Sequence, residues 1–171
     1  MDFQVGEKVV YPNHGVGVIE QINSWPVGPA PQRCYLLRIH ASSLRVTVPF
    51  ANARTVGLRR IVKTQEVNRI LRFLADGKCS LHQDWKVRFK ENSEKMRSGS
   101  LLHVAEVLKC LLLVSRNKEL SFRERKMLDR ARHLLINEMA VAMKTSETAV
   151  ETALAKALAK ARLQLTPELP A

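Results

Sequence analysis

The sequence predicts an α+β protein: a small β barrel over residues 1–64, then an all-α bundle of about five helices over residues 65–171. Two observations carry this. Up to Lys63, short apolar runs alternate with other residues and are punctuated by Gly and Pro about every ten residues. From Thr64 onward, apolar residues recur at three- and four-residue spacing between capping residues. With 171 residues, 46 % of them hydrophobic, the chain can build a packed core in one mid-sized domain or two small ones.

In the first half, Val9, Val10 and Tyr11 form a strand stopped by Pro12. "HGVGVIEQI" alternates at Val16, Val18, Glu20 and Ile22, and Gly15 and Gly17 offer tight bends. "WPVGPAPQ" holds three prolines and a glycine, which predicts a loop. "RCYLLRIHA" and "LRVTVPFAN" supply two more strands, and Pro49 limits how far the second lies inside a sheet.

In the second half, Val67, Ile70, Leu71 and Leu74 mark a first helix closed by Gly77. A second begins near Asp84, a good N-cap, and ends at Gly99. Ser100 caps a third, with Leu101, Val104, Ala105, Leu108 and Leu112 on one face. Ser121 and Glu124 have capping-box spacing at the head of a fourth, whose apolar line is Leu128, Ala131, Leu135 and Met139. Ser146 caps a last helix with Val150, Leu154, Leu158 and Leu165 inward, and Pro167 and Pro170 end the chain.

The formal net charge of +12 points to a polyanionic partner. The surplus occurs in both halves: eight basic residues against three acidic up to residue 64, and twenty against thirteen after it. Other function classes find little support. Cys79 and His82 make a lone C-x2-H, short of the four ligands of a structural zinc, and His14, His40, His103 and His133 have no ligand spacing. Cys34, Cys79 and Cys110 suggest no disulfide framework. No phosphate-binding glycine loop, nucleophile elbow or carboxylate cluster is present, so no catalytic residue, metal or cofactor is expected. The last helix has an Ala-rich apolar side without aromatics and suits packing on the bundle better than a membrane. Without a leader or spanning segment, the chain reads as soluble and cytoplasmic.

"HQDWKVRFK" is the richest stretch. On a helix starting at Trp85, residues Trp85, Phe89, Asn92 and Met96 share a face, as in an ordinary core stripe. Lys86, Lys90 and Arg97 share a neighbouring face, and Arg88 and Lys95 another. Cations at a helix N-terminus oppose the macrodipole, which is favourable only when an anion arrives. Core packing and nucleic-acid contact both remain open from these residues alone.

"FQVGEKVVYPNHGVGVIEQI", "LRVTVP", "WKVRFKENSEKMRSGSLLHVAEVLKCL" and "LSFRERKMLDRARHLLINEMA" together resemble the CarD/CdnL family of bacterial transcription regulators. The likeness spans most of residues 1–143 in one register, and the last helix is similar to that of CdnL-type members. The first block by itself also resembles a module of transcription-repair coupling factors. The resemblance implies a Tudor-like (SH3-like) barrel that binds the RNA polymerase β subunit. It also implies a helical domain that meets promoter DNA in the minor groove at the upstream fork, largely independent of sequence, and stabilises the open complex. Trp85 matches the family's wedge tryptophan, and Lys86, Arg88 and Lys90 fall at nearby basic positions; Arg97, on the face of Lys86 and Lys90, joins them as an expected DNA contact. Val87 and Phe89 stand where relatives place arginine and tyrosine. For polymerase, the resemblance implies Arg45, Val46, Thr47, Val48 and Pro49, with Thr47 replacing an arginine of actinobacterial members, and the nearby segment from Trp25 to Val27. A monomer that avoids membranes is expected. A freestanding nucleic-acid binder and a protein-only adaptor are the rival readings.

Overall fold

A computed structural model of the chain describes residues 2–76 and 78–165. Gly77, Pro167 and Pro170, assigned above to chain stops, lie outside the described residues. Two compact units divide between Ile61 and Val62, three residues before the expected boundary. The shift has a local cause. The Val62 N–H donates to Glu138 Oε1 at 3.0 Å, so the chain is already tied to the helical unit there.

The first unit is a five-stranded antiparallel sheet in the order β4-β3-β2-β1-β5. Its strands are β1 (Lys8–Tyr11), β2 (Gly15–Val27), β3 (Ala30–Ile39), β4 (Arg45–Pro49) and the short β5 (Arg59–Arg60). Phe3, Val9, Ile19, Tyr35, Leu37, Val48, Ala53 and Leu58 form its core. Tyr35 is the centre: its ring stacks on Phe50 at 4.1 Å and meets Phe3 edge-on at 5.5 Å, and its hydroxyl accepts from the Phe3 N–H. Gly17 is required by close approach, since a Cβ there would lie 2.8 Å from the Arg38 carbonyl oxygen.

The segment from Trp25 to Gln32 differs from expectation. It is a paired hairpin, with Trp25 opposite Gln32, Pro26 opposite Pro31 and Val27 opposite Ala30. An antiparallel ladder uses N–H groups of alternate pairs only, so two prolines set opposite each other cost no inter-strand bond. Among the described residues no third strand pairs alongside this stretch, so the outer edges need no donors there either. Gly28 at φ 81 followed by the fixed φ of Pro29 makes the two-residue turn. Composition identified the punctuation but not the pairing it permits.

The second unit contains α1 (Thr64–Asp76), α2 (Trp85–Arg97), α3 (Leu101–Asn117), α4 (Phe122–Met143) and α5 (Glu147–Lys160). Each anticipated cap is formed. Asp84, Ser100, Ser121 and Ser146 accept from backbone N–H groups at the heads of α2 to α5, and Ser121 with Glu124 completes a capping box. The core gathers Val67, Ile70 and Leu74 of α1, the predicted apolar lines of α3 and α4, and Val150, Leu154 and Leu158 of α5. Lys109, itself buried, donates to the Phe73 carbonyl at 2.8 Å in the last turn of α1, where a cation complements the helix C-terminus. Among the described residues, no helix is long and apolar enough to cross a membrane.

Gly17→Ala is expected to destabilise the sheet unit by about 1–3 kcal/mol, because the new methyl meets backbone rather than a movable side chain. Urea unfolding followed by Tyr35 and Trp25 signals checks this, and an unchanged midpoint would show that the strands can separate freely at Gly17.

Candidate nucleic-acid and protein-docking surfaces

Helix α2 starts abruptly because the Asp84 carboxylate accepts from the Lys86 N–H at 2.9 Å. After this cap the first turn carries no acidic residue, so Asp84 alone among the residues of the helix head offsets the positive dipole end. Trp85 leads this turn and is 49 % exposed, a large value for an indole. Lys86 Nζ lies 5.9 Å from its ring centroid. Lys86, Lys90 and Arg97 are all exposed on the side predicted for them. Val87 is 40 % exposed, so the apolar residue among the cations is itself at the surface.

The inward face is formed by Arg88, Asn92 and Met96, with Phe89 partly buried. Asn92 and Met96 thus follow the predicted stripe, Phe89 lies at its margin, and Trp85 stands out past its N-terminal end. Arg88 is the correction. Expected as a phosphate contact, it is 7 % exposed. Its Nη2 and Nε donate to Glu124 Oε1 at 2.9 and 3.3 Å, and its Nη1 donates to the His82 carbonyl at 3.0 Å. A guanidinium so occupied is a structural group, holding α2 to α4 and to the preceding loop.

Glu124 uses its other oxygen on α4 itself. Oε2 accepts from the Ser121 N–H and from the Ser121 hydroxyl, both at 3.1 Å. Burial would raise this carboxyl, but the hydrogen bonds from Arg88 and Ser121 outweigh it and hold its pKa below the ordinary value. The heads of α2 and α4 are therefore bound together by one carboxylate.

That junction brings a surface the sequence reading missed. Phe122, the first residue of α4, is 62 % exposed, and Lys126 Nζ sits 4.6 Å over its ring. Arg123 and Arg125 are exposed beside it. The signal was present in "FRERK", a second aromatic-plus-cation run at a helix N-terminus, but the capping box drew the reading towards structure.

In the sheet unit, among the described residues, β4 pairs with β3 alone and is an edge strand. The Ile39 N–H donates to the Leu44 carbonyl, so alternate pairs Leu37–Val46 and Tyr35–Val48 exchange the inter-strand bonds. Arg45 and Thr47 therefore turn their main-chain N–H and C=O outward, and Pro49, which has no N–H to offer, closes the edge. By the same alternation, Thr47 and Pro49 share a sheet face with Trp25 and Val27 across the ladder. Trp25 and Val27 are partly buried there. Val48 is a second correction: its side chain is 3 % exposed in the sheet core, and Val46 packs against that core. Neither side chain forms an outward contact surface. Arg45 has a partner of its own, because Glu20, the extra residue of a β-bulge, binds Arg38 and Arg45 at 3.0 Å each.

Cys79 and His82 line one cavity of the helical unit, yet among the described residues no group of three or more His, Cys, Asp or Glu is arranged to hold a metal ion.

Arg88→Ala, which strands Glu124 as a buried charge, should cost about 3–5 kcal/mol of helical-unit stability in chemical denaturation. Since the folded-state pKa of Glu124 lies below the ordinary 4.5, its contribution is complete above that value and is lost as pH falls through the folded pKa. Glu124→Gln should therefore flatten the acid limb of thermal stability. An unaltered acid limb would show that other carboxylates set it.

Comparisons with known proteins agree with this division. Residues 69–155 match the family model "CarD, C-terminal domain", and residues 3–62 match "CarD-like/TRCF RID domain", a Tudor-like fold. A Bacillus subtilis (strain 168) protein described as "Putative transcription factor YdeB" is 30 % identical over 149 residues, covering 87 % of this chain and 97 % of its relative. With both units matched in order over the strands and helices described above, the chain belongs to the CarD family of transcription factors.

Proposed function

We propose that the protein docks on the β subunit of RNA polymerase through the β4 edge and holds promoter DNA at the upstream fork through the head of α2, stabilising the open complex. The observation that carries this reading is Trp85: an indole 49 % exposed at the head of a helix whose first turn holds no acidic residue after the Asp84 cap, beside exposed Lys86 and Lys90. An aromatic ring there can pack against distorted base pairs from the minor groove, while cations and N–H groups take phosphates. Lys86, Lys90 and Arg97 grip without reading sequence, and Arg123, Arg125 and Lys126 of α4 add a second basic group. Arg88 serves this surface from behind, by fixing the start of α2.

On the sheet unit, the outward main-chain groups of Arg45 and Thr47 suit addition of one short strand. Docking raises the effective concentration of the helical unit at DNA, so weak DNA contacts suffice. No chemistry is needed: shifting the open-to-closed ratio alters initiation by itself.

Trp85→Ala should shorten the open-complex lifetime about 5- to 150-fold, matching roughly 1–3 kcal/mol of aromatic–base stacking. Promoter-complex decay after competitor challenge measures this, and a folded, polymerase-bound variant with a normal lifetime would sink the wedge role. Binding to DNA alone should be weak, with a log–log salt slope of about −3 if the three outward cations of α2 carry it. Nanomolar binding without polymerase would instead favour a freestanding nucleic-acid binder.

Thr47→Pro removes an outward N–H without touching the internal ladder. It should weaken polymerase binding about tenfold, the cost of a lost main-chain bond and an unpaired acceptor. Undiminished binding in a pull-down with the β subunit would place the contact elsewhere. Altering Val48 would be a poorer test, because it opens the core.

A further inference from the structure

We infer that Arg38 and Arg45 form a fork on the outer face of the sheet that receives a carboxylate from the strand docked on β4, and that Glu20 sets this fork. The inference deepens the proposed docking on polymerase and rests on it. Arg45 of β4 and Arg38 of β3 stand directly opposite each other, so their side chains share one face. Two like charges so placed repel. Glu20, the extra residue of the bulge in β2, answers both. Its Oε1 accepts from Arg38 Nε and its Oε2 from Arg45 Nε, each at 3.0 Å.

One carboxylate cannot neutralise two guanidiniums, so a positive charge is left over. Exposure shows where it is available. The Glu20 side chain is 21 % exposed, against 52 % for Arg38 and 66 % for Arg45. The carboxylate is thus the inner member, and it takes the Nε of each arginine. The Nη groups of both have no partner among the described residues. With each Nε fixed, the remaining N–H groups of two neighbouring guanidiniums are held side by side at the surface, a donor set that suits an oxyanion.

Register selects the source of that oxyanion. Arg45 turns its main-chain N–H and C=O outward from the β4 edge. A strand pairing antiparallel with that edge sets one residue directly opposite Arg45, about 5.5 Å away between Cα atoms, with its side chain on the face of Arg45 and Arg38. An Asp or Glu there meets the fork as the main chains pair. A Lys or Arg there meets the leftover positive charge and is rejected. The fork therefore selects register as well as charge, because a slip of one residue turns the acidic side chain to the other face. A nucleic-acid phosphate offers the same oxyanion chemistry but no peptide backbone to pair with the edge.

Association and dissociation rates of the full chain with the polymerase β subunit, measured over a range of salt, test this. Arg38→Met keeps the aliphatic stem and leaves the β4 edge intact. It should slow association about three- to tenfold and flatten its salt dependence, as loss of a half-exposed charge contact does. Lys8→Met removes a charge from the same row of the sheet, beyond Val18, and should stay within about twofold of wild type at physiological salt. Glu20→Gln leaves a second charge unanswered and should steepen the salt dependence; an unchanged slope would overturn the part given to Glu20. Arg45→Glu should lose tight binding, and changing one Asp or Glu of the β subunit to Lys should restore about tenfold of it. Arg38→Met decides the matter should Arg45→Glu fail to fold. Equal effects of Arg38→Met and Lys8→Met, or no restoring position among the β-subunit carboxylates, would overturn the fork. Normal β-subunit binding with impaired DNA binding in Arg38→Met would assign the fork to nucleic acid and overturn it too. Thr47→Pro acts through the main chain and separates the two readings. Weakened binding there beside an unaffected Arg38→Met removes the fork and keeps the docking edge, and undiminished binding of Thr47→Pro removes both.

Discussion

The Arg88–Glu124 contact governs the candidate DNA surface. Taking two charges out of water is expensive, and such pairs often add little net stability over apolar replacements. What this pair supplies is geometry. Each oxygen of Glu124 is committed, one to Arg88 of α2 and one to Ser121 at the head of α4. Arg88 also binds the His82 carbonyl in the segment before α2. Three pieces of chain are thus aligned by one carboxylate, and Trp85 is presented from a fixed turn. An exposed indole on a loose helix end would lose much of its contact energy to ordering.

The sheet unit follows a different constraint, that of an edge strand kept available but controlled. Exposed edges invite unwanted pairing. Here β4 is five residues long, ends at Pro49, and carries Arg45 held by Glu20. Only Arg45 and Thr47 present complete outward main-chain pairs. A short edge of this kind suits one short partner strand and discourages extended self-association. The bulge at Glu20 is what brings a single carboxylate to two arginines that sit directly opposite each other on β3 and β4.

Within this family of transcription factors, the chain shows a particular distribution of surface character. The α2 head combines an exposed indole, an exposed valine and cations, and the α4 head adds an exposed phenylalanine under a lysine. Both carry apolar and cationic groups side by side, which suits contact with grooves and backbones more than with a purely ionic surface. Behind α2, the same helix lines a cavity with its inward Arg88 and Asn92. One helix therefore has two chemically distinct sides, joined by the rigidity that Arg88 confers.

Caps, helix periodicity, the β-to-α division and the charge surplus are properties of neighbouring residues, and the sequence alone determined them. Asp84, Ser100, Ser121 and Ser146 cap the helices they were read to cap because a cap acts over two or three residues. Periodicity also placed Lys86, Lys90 and Arg97 outward correctly. It could not show that Arg88 turns inward, since the partner that makes its burial tolerable lies 36 residues away. Nor could composition reveal that the prolines around Gly28 face each other across a hairpin, because that depends on register. Val48 points into the core and Thr47 outward for the same reason. Tertiary structure decided which cation is held for architecture and which main-chain groups are left free, because burial and pairing are settled between residues distant in the chain.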